Sequence, residues 1–201
     1  MTVLTLVRHG ETEWNRTRRI QGSTDIPLND VGRQQARDAA AALRTGLDVD
    51  APVVVVASDL SRARETAEII AADLGVQVSR LYPDLRERAY GEAEGIDAEQ
   101  FHARWGDWHN ADVPGAEPWP HVRARGLRAL RHVVRDARRE TAPLAASVIV
   151  VTHGAMIREL IRHATAGELP AVGERLANGS AHTLLYERER LQLLSYASAT
   201  A

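Results

Sequence analysis

The sequence predicts an α/β domain built on a mostly parallel sheet of about six strands. Two observations carry that expectation. Short β-branched runs alternate with longer helical patterns along the chain, and 201 residues are enough for one hydrophobic core without a second domain. The chain 1–201 is therefore read as one domain.

The strand candidates are Thr2 to Val7, Val53 to Ala57, Val76 to Val78, Ser147 to Thr152, His182 to Glu187 and Leu191 to Tyr196. Only Arg188-Glu189-Arg190 separates the last two, which predicts an edge hairpin. The first helix opens at an Asn29 or Asp30 cap, runs through an alanine-rich stretch to Leu43 and stops at Gly46. The second takes Ser58 as its cap, gathers Leu60, Ala63, Ala67, Ile70 and Leu74 on one face and stops at Gly75. A third spans Val122 to Glu140, and a fourth opens at Gly154. Residues 89–120, rich in Gly, Pro and aromatic residues, form the least regular segment. They read as a lid-like excursion over the active edge of the sheet.

Composition excludes several functions. A net charge of -2 gives no bulk electrostatic reason to bind nucleic acid or a membrane, so any anion site must be local. With no cysteine there is no disulfide framework, thiol nucleophile or cysteine zinc site, which fits a cytoplasmic protein. Every basic residue other than histidine is arginine, so a lysine Schiff base is also excluded. No apolar run reaches the roughly 18 residues of a membrane span, and no signal-peptide pattern opens the chain.

The chemistry gathers at two strand ends. Leu6-Val7-Arg8-His9-Gly10 and Val150-Val151-Thr152-His153-Gly154 each end an apolar run in a His-Gly pair. A strand fixes the backbone, glycine permits close approach, and Arg8 adds a planar, permanently charged fork suited to phosphate. Arg62, one turn beyond Ser58, and His153, just before the fourth helix, would both lie at helix N-termini. Such ends present free amides and favour a bound anion. A nucleophilic histidine must be unprotonated, and neighbouring arginines disfavour imidazolium.

Five blocks carry a resemblance across nearly the whole chain: LVRHGETEWN from Leu6, QGSTDIPLNDVGRQQA from Gln21, SDLSRARETA from Ser58, LRERAYGEAEG from Leu85 and VVTHGAMIR from Val150. In this order they resemble the histidine phosphatase superfamily, also called the phosphoglycerate mutase-like family. The resemblance implies a three-layer α/β/α fold and a small phosphorylated metabolite as substrate, with no cofactor and no metal. His9 would be the nucleophile that forms a phosphohistidine, and Glu87 the acid and then the base. Arg8, Arg62 and His153 would hold the equatorial oxygens, with Asn15, Gln21, Gly22 and Gly154 completing the substrate site. Family members divide into phosphatases and mutases. The mutases carry a longer, basic insertion after the glutamate; here Arg104 is accompanied by Glu99, Asp107 and Asp112, which favours the phosphatase branch. A homodimer is compatible with the family.

Other residues give weaker signals. Asn178-Gly179-Ser180 suits either a turn or an amide lent to the pocket. His102, His109 and His121 match no compact ligand spacing, so no metal site is expected there. The arginines at 123, 125, 128, 131, 135, 138 and 139 read as the solvated face of an amphipathic helix. Ala93 stands where an aromatic is usual, and Pro114-Gly115-Ala116-Glu117-Pro118 replaces a typical Gly-Gly-Glu-Ser. The aromatics of the excursion suggest a leaving group with apolar or planar character.

Overall fold

A computed structural model describes residues 1–48, 50–106 and 111–197. In chain order its strands are β1 (Thr2–Arg8), β2 (Val53–Ala57), β3 (Val78–Leu81), β4 (Ser147–Thr152), β5 (Ala181–Glu187) and β6 (Arg190–Ser195). Its α-helices are α1 (Glu13–Arg16), α2 (Asp30–Gly46), α3 (Ser61–Leu74), α4 (Ala98–Trp105), α5 (Trp119–Thr141) and α6 (Gly154–Ala164). The strands form one six-stranded sheet in the order β3-β2-β4-β1-β5-β6. Neighbours from β3 to β1 run parallel, and β5 and β6 add antiparallel strands at one edge. This is the three-layer, mostly parallel architecture expected.

The sheet is apolar on both faces, as a sheet covered on two sides must be. Successive side chains point to opposite faces. Leu4, Leu6, Val54, Val56, Val148 and Val150 pack with Leu130 and Val134 of α5 and Ile157 and Leu160 of α6. Val7, Val55, Ile149 and Val151 pack with Ala40 of α2 and Ala67 and Ile70 of α3. The chain leaves β1 towards one layer and β4 towards the other. A crevice therefore opens between their carboxyl ends, where open α/β sheets place ligands. Arg8 is in register with Thr152, so His9 and His153 follow side by side.

Three expectations are corrected. The third strand begins at Val78, because the Val76 N–H closes the end of α3 on Ala71 O at 2.9 Å, with Gly75 left-handed at φ 75°. Helix α3 starts at Ser61, with Leu60 rather than Ser58 in the N-cap position. Asp25 Oδ1, far away in sequence, accepts from Ser61 N at 2.8 Å and from its hydroxyl at 2.7 Å. The excursion is also not wholly irregular: α4 lies within it, capped by Asp97, and Tyr90, Ala93, Phe101 and Val113 form a buried cluster of their own. The edge hairpin forms as expected, with Arg188 and Glu189 turning at positive φ.

Candidate active site

The crevice holds a cavity of about 140 Å³ lined by Arg8, His9, Asn15, Arg19, Ile20, Gln21, Gly22, Arg62, Glu87 and Tyr90. A larger hollow of about 260 Å³ between the N-terminus and the end of α5 has no acidic or imidazole side chain in its wall. It offers no comparable chemistry.

His9 is 2% exposed, and its Nδ1 lies 2.7 Å from the Gly10 carbonyl. A carbonyl oxygen only accepts, so Nδ1 carries the proton and Nε2 keeps its lone pair. The loop behind it cannot slacken. Gly10 N donates to Thr66 Oγ1 at 3.1 Å, Asn178 Nδ2 donates to His9 O at 3.0 Å, and a Cβ on Gly10 would fall 2.2 Å from Gly32 O. Burial, then Arg62 and Arg8, hold the His9 pKa well below its ordinary value of 6.5; the Gly10 contact opposes them. The imidazole is therefore neutral.

Arg62 is fully buried, donating from Nη1 to Thr24 O at 2.9 Å and from Nη2 to Gly22 O at 2.8 Å. Arg8 donates through Nη1 to Leu176 O. Among the ion pairs of the described residues, none includes either arginine. Burial lowers both guanidinium pKa values, with Glu87 opposing. His153 stands edge-on to His9, ring centroids 5.1 Å apart, and is not among the residues lining the cavity. Its Nε2 is 2.9 Å from Ser58 Oγ, whose oxygen accepts from Leu60 N at 3.3 Å and whose hydroxyl donates to Nε2 in the tautomer that leaves the proton on Nδ1. Burial, then Arg62, hold this imidazole well below 6.5 too. Arg8 Nε, Arg62 Nε and His153 Nδ1 are all buried with no partner. Orphaned donors of this kind cost about 1–3 kcal/mol each.

The helix N-termini act otherwise than expected. The start of α6 holds the Glu87 carboxylate, which accepts from Ala155 N at 3.1 Å on both oxygens and from Met156 N at 3.2 Å. Asp25 takes the first amide of α3. The hollow therefore relies on side-chain donors. Gly154 is not in the cavity wall either; a Cβ there would make only ordinary contact with Arg8 Nε, at 3.4 Å. Asn15 and Gln21 do line the cavity. Asn15 Oδ1 accepts from Thr12 N at 3.1 Å and Asn178 Nδ2 at 3.2 Å, which leaves its amide nitrogen for the cavity. Gln21 Oε1 accepts from Thr12 Oγ1 at 2.9 Å.

Residues 4–199 match the model of the histidine phosphatase superfamily (branch 1). The chain belongs to that superfamily. It is 33% identical to the uncharacterized phosphatase PhoE of Bacillus subtilis, over 98% of this chain and 94% of that protein. It is 36% identical to the probable phosphoglycerate mutase GpmB of Erwinia tasmaniensis, over 85% of this chain and 77% of the relative. A mycobacterial glucosyl-3-phosphoglycerate phosphatase, solved with VO3, superposes with a TM-score of 0.82 at 27% identity, covering 99% of this chain and all of that one.

Several residues that build this histidine phosphatase site escaped the sequence reading. Glu94 accepts from Ser23 N at 2.8 Å, Thr24 N at 2.9 Å and Tyr90 N at 3.0 Å, tying the excursion to the loop whose carbonyls hold Arg62. Burial resists its ionisation, but bonds led by Thr24 hold its carboxyl below the usual range. Arg125, expected to be solvated, is a half-buried clamp: it pairs with Glu117 at 2.7 Å, the two side chains being 14% and 19% exposed. Among the excursion's aromatics, Tyr90 lines the cavity, whereas Phe101 and Trp105 stack at 5.4 Å and Arg88 covers Trp119 at 4.2 Å. These rings mostly pack the excursion down. Trp108, His109 and Asp107 lie outside the described residues; among those described, no group of three metal-ligating side chains occurs and no helix is long and apolar enough to cross a membrane.

Proposed function

We propose that this protein is a phosphomonoesterase that hydrolyses a small phosphorylated metabolite through a phosphohistidine on His9. The observation that carries the reading is the set of three buried, unpartnered nitrogens beside a neutral imidazole. A phosphoryl group supplies the acceptors they lack.

In the first step the His9 Nε2 lone pair forms a bond to phosphorus as the ester P–O bond breaks, and Glu87 gives its proton to the leaving oxygen. Arg8, Arg62 and His153 stabilise charge on the equatorial oxygens, with Asn15 adding a neutral donor. In the second step Glu87 takes a proton from water as the water oxygen attacks phosphorus. Phosphate leaves and His9 is restored. The two guanidinium groups supply the positive charge the transition state needs, so the proposed reaction requires no metal.

A panel of phosphorylated metabolites assayed for phosphate release in chelator tests this. Turnover in chelator, with acid-labile phosphate trapped on the wild type and none on His9→Ala, is the expected result. The relative named as a mutase motivates a second reading, phosphoglycerate mutase-type transfer. Dependence on a bisphosphorylated primer, with little phosphate released, would establish that reading instead.

A further inference from the structure

We propose that Arg125 is a positioning residue that, locked on Glu117, fixes the reach of Glu87 to the leaving-group oxygen. This rests on Glu87 being the proton donor. All five guanidinium N–H groups of Arg125 are used. Nε donates to Glu117 Oε1 at 2.7 Å and Nη2 to Oε2 at 2.8 Å. Nη1 donates to the carbonyls of Asp84 at 2.9 Å and Arg86 at 2.6 Å, and Nη2 to that of Glu87 at 2.9 Å. Thr152 Oγ1 takes the remaining carbonyl of this run, Leu85 O, at 2.6 Å.

Four successive carbonyls leading into Glu87 are thus each held by a side chain, three of them by one residue. The run overlaps the short 3-10 turn Pro83–Leu85 and belongs to no strand of the sheet, so its acceptors have no ladder to satisfy them. The Glu87 side chain is pinned at its far end by the α6 amides, and Arg125 pins the near end. With both ends fixed, the carboxyl has one reach into the cavity. A lysine cannot reproduce the clamp, because its donors radiate from one point instead of a planar fork.

Leaving-group dependence separates positioning from mere support of the fold. A 2,4-dinitrophenolate departs without a proton, whereas an alkoxide needs one. The measurement is kcat/KM, which reports formation of the phospho-enzyme, for the best alkyl phosphate of the metabolite panel and for 2,4-dinitrophenyl phosphate. In Arg125→Lys the alkyl ester is expected to lose about 100-fold and the dinitrophenyl ester less than about threefold, since misplacing a catalytic group by about 1 Å costs that much. Glu117→Gln should show the same split at about tenfold, and Glu87→Gln sets its full scale, about 10²- to 10⁴-fold. Equal losses on both esters, or no loss, would overturn the proposal. If Glu87→Gln shows no split, the assignment of the acid fails first; if only Arg125→Lys and Glu117→Gln show none, the positioning role alone fails. Should Arg125→Lys not fold, Glu117→Gln, close in shape to the native residue, decides.

Discussion

The anion hollow at the strand ends and the excursion over 89–120 are built on opposite plans. In the hollow side-chain donors are left open: Arg8, Arg62 and His153 each keep a buried nitrogen without a partner. In the excursion the groups meet one another. Arg88 stacks on Tyr90 and Trp119 and donates to Glu117 O, and Phe101 sits in a small separate cluster. The hollow is left short of partners, which under the proposed function a phosphoryl group would supply, whereas the groups of the excursion already have theirs. Chemistry is therefore expected to depend on the first region and selectivity on the second.

The largest effect that would break this contrast is at His9. His9→Ala should lower phosphate release on the order of 10⁴-fold or more, as loss of a nucleophile does, with circular dichroism unchanged. Next, Arg62→Ala should lower kcat/KM by about 10²- to 10³-fold, the cost of one preorganised charge donor. The same variant should lose the stabilisation that inorganic phosphate gives the wild type, about 2.7 kcal/mol at 100 times Kd, read as a shift in Tm. Equal phosphate protection of both proteins would show that the anion binds elsewhere.

The two imidazoles give an effect on stability. Folding holds His9 and His153 well below their ordinary pKa of 6.5, so as pH falls through that value the unfolded chain takes up protons and the folded one does not. Stability should fall with acidification by about 1.4 kcal/mol per pH unit for each such histidine. His182, lowered to about 4, adds to the decline until that pH. Urea midpoints between neutrality and pH 5.5 should fall more steeply for the wild type than for His153→Asn; parallel slopes would contradict neutral burial. The smallest effect concerns the excursion. Phe101→Ala should raise KM less than about tenfold and speed proteolysis within 89–120 with little change in global Tm, because local clusters open sub-globally. Ile70→Ala beneath the sheet should cost roughly 2–5 kcal/mol of global stability. Comparable Tm losses for the two would merge the regions into one cooperative unit.

The parts legible in sequence were those set by local pattern. Val53–Ala57 and Ser147–Thr152 are β-branched at all but one position each, and Asn29 caps α2 through its own neighbour Gly32 N. Arg8, His9, Arg62 and Glu87 do meet at one cavity. What could not be read was set by distant partners. No local signal says that Asp25 will cap α3, or that Glu87 will occupy the amides of α6. Arg125 matches its helical neighbours by spacing; only Glu117 and three carbonyls, brought in by tertiary folding, distinguish it.

The contact between Gly10 and Gly32 has a practical side. Main chain presses on main chain there so closely that neither position accepts even a methyl group: a Cβ on Gly32 would fall 2.1 Å from Glu11 O. Anyone retargeting this protein by directed evolution should leave both codons untouched and concentrate diversity around Tyr90 and the packing aromatics of the 89–120 stretch, sparing Gly91, Glu94 and Glu117, whose contacts hold that stretch and the site together.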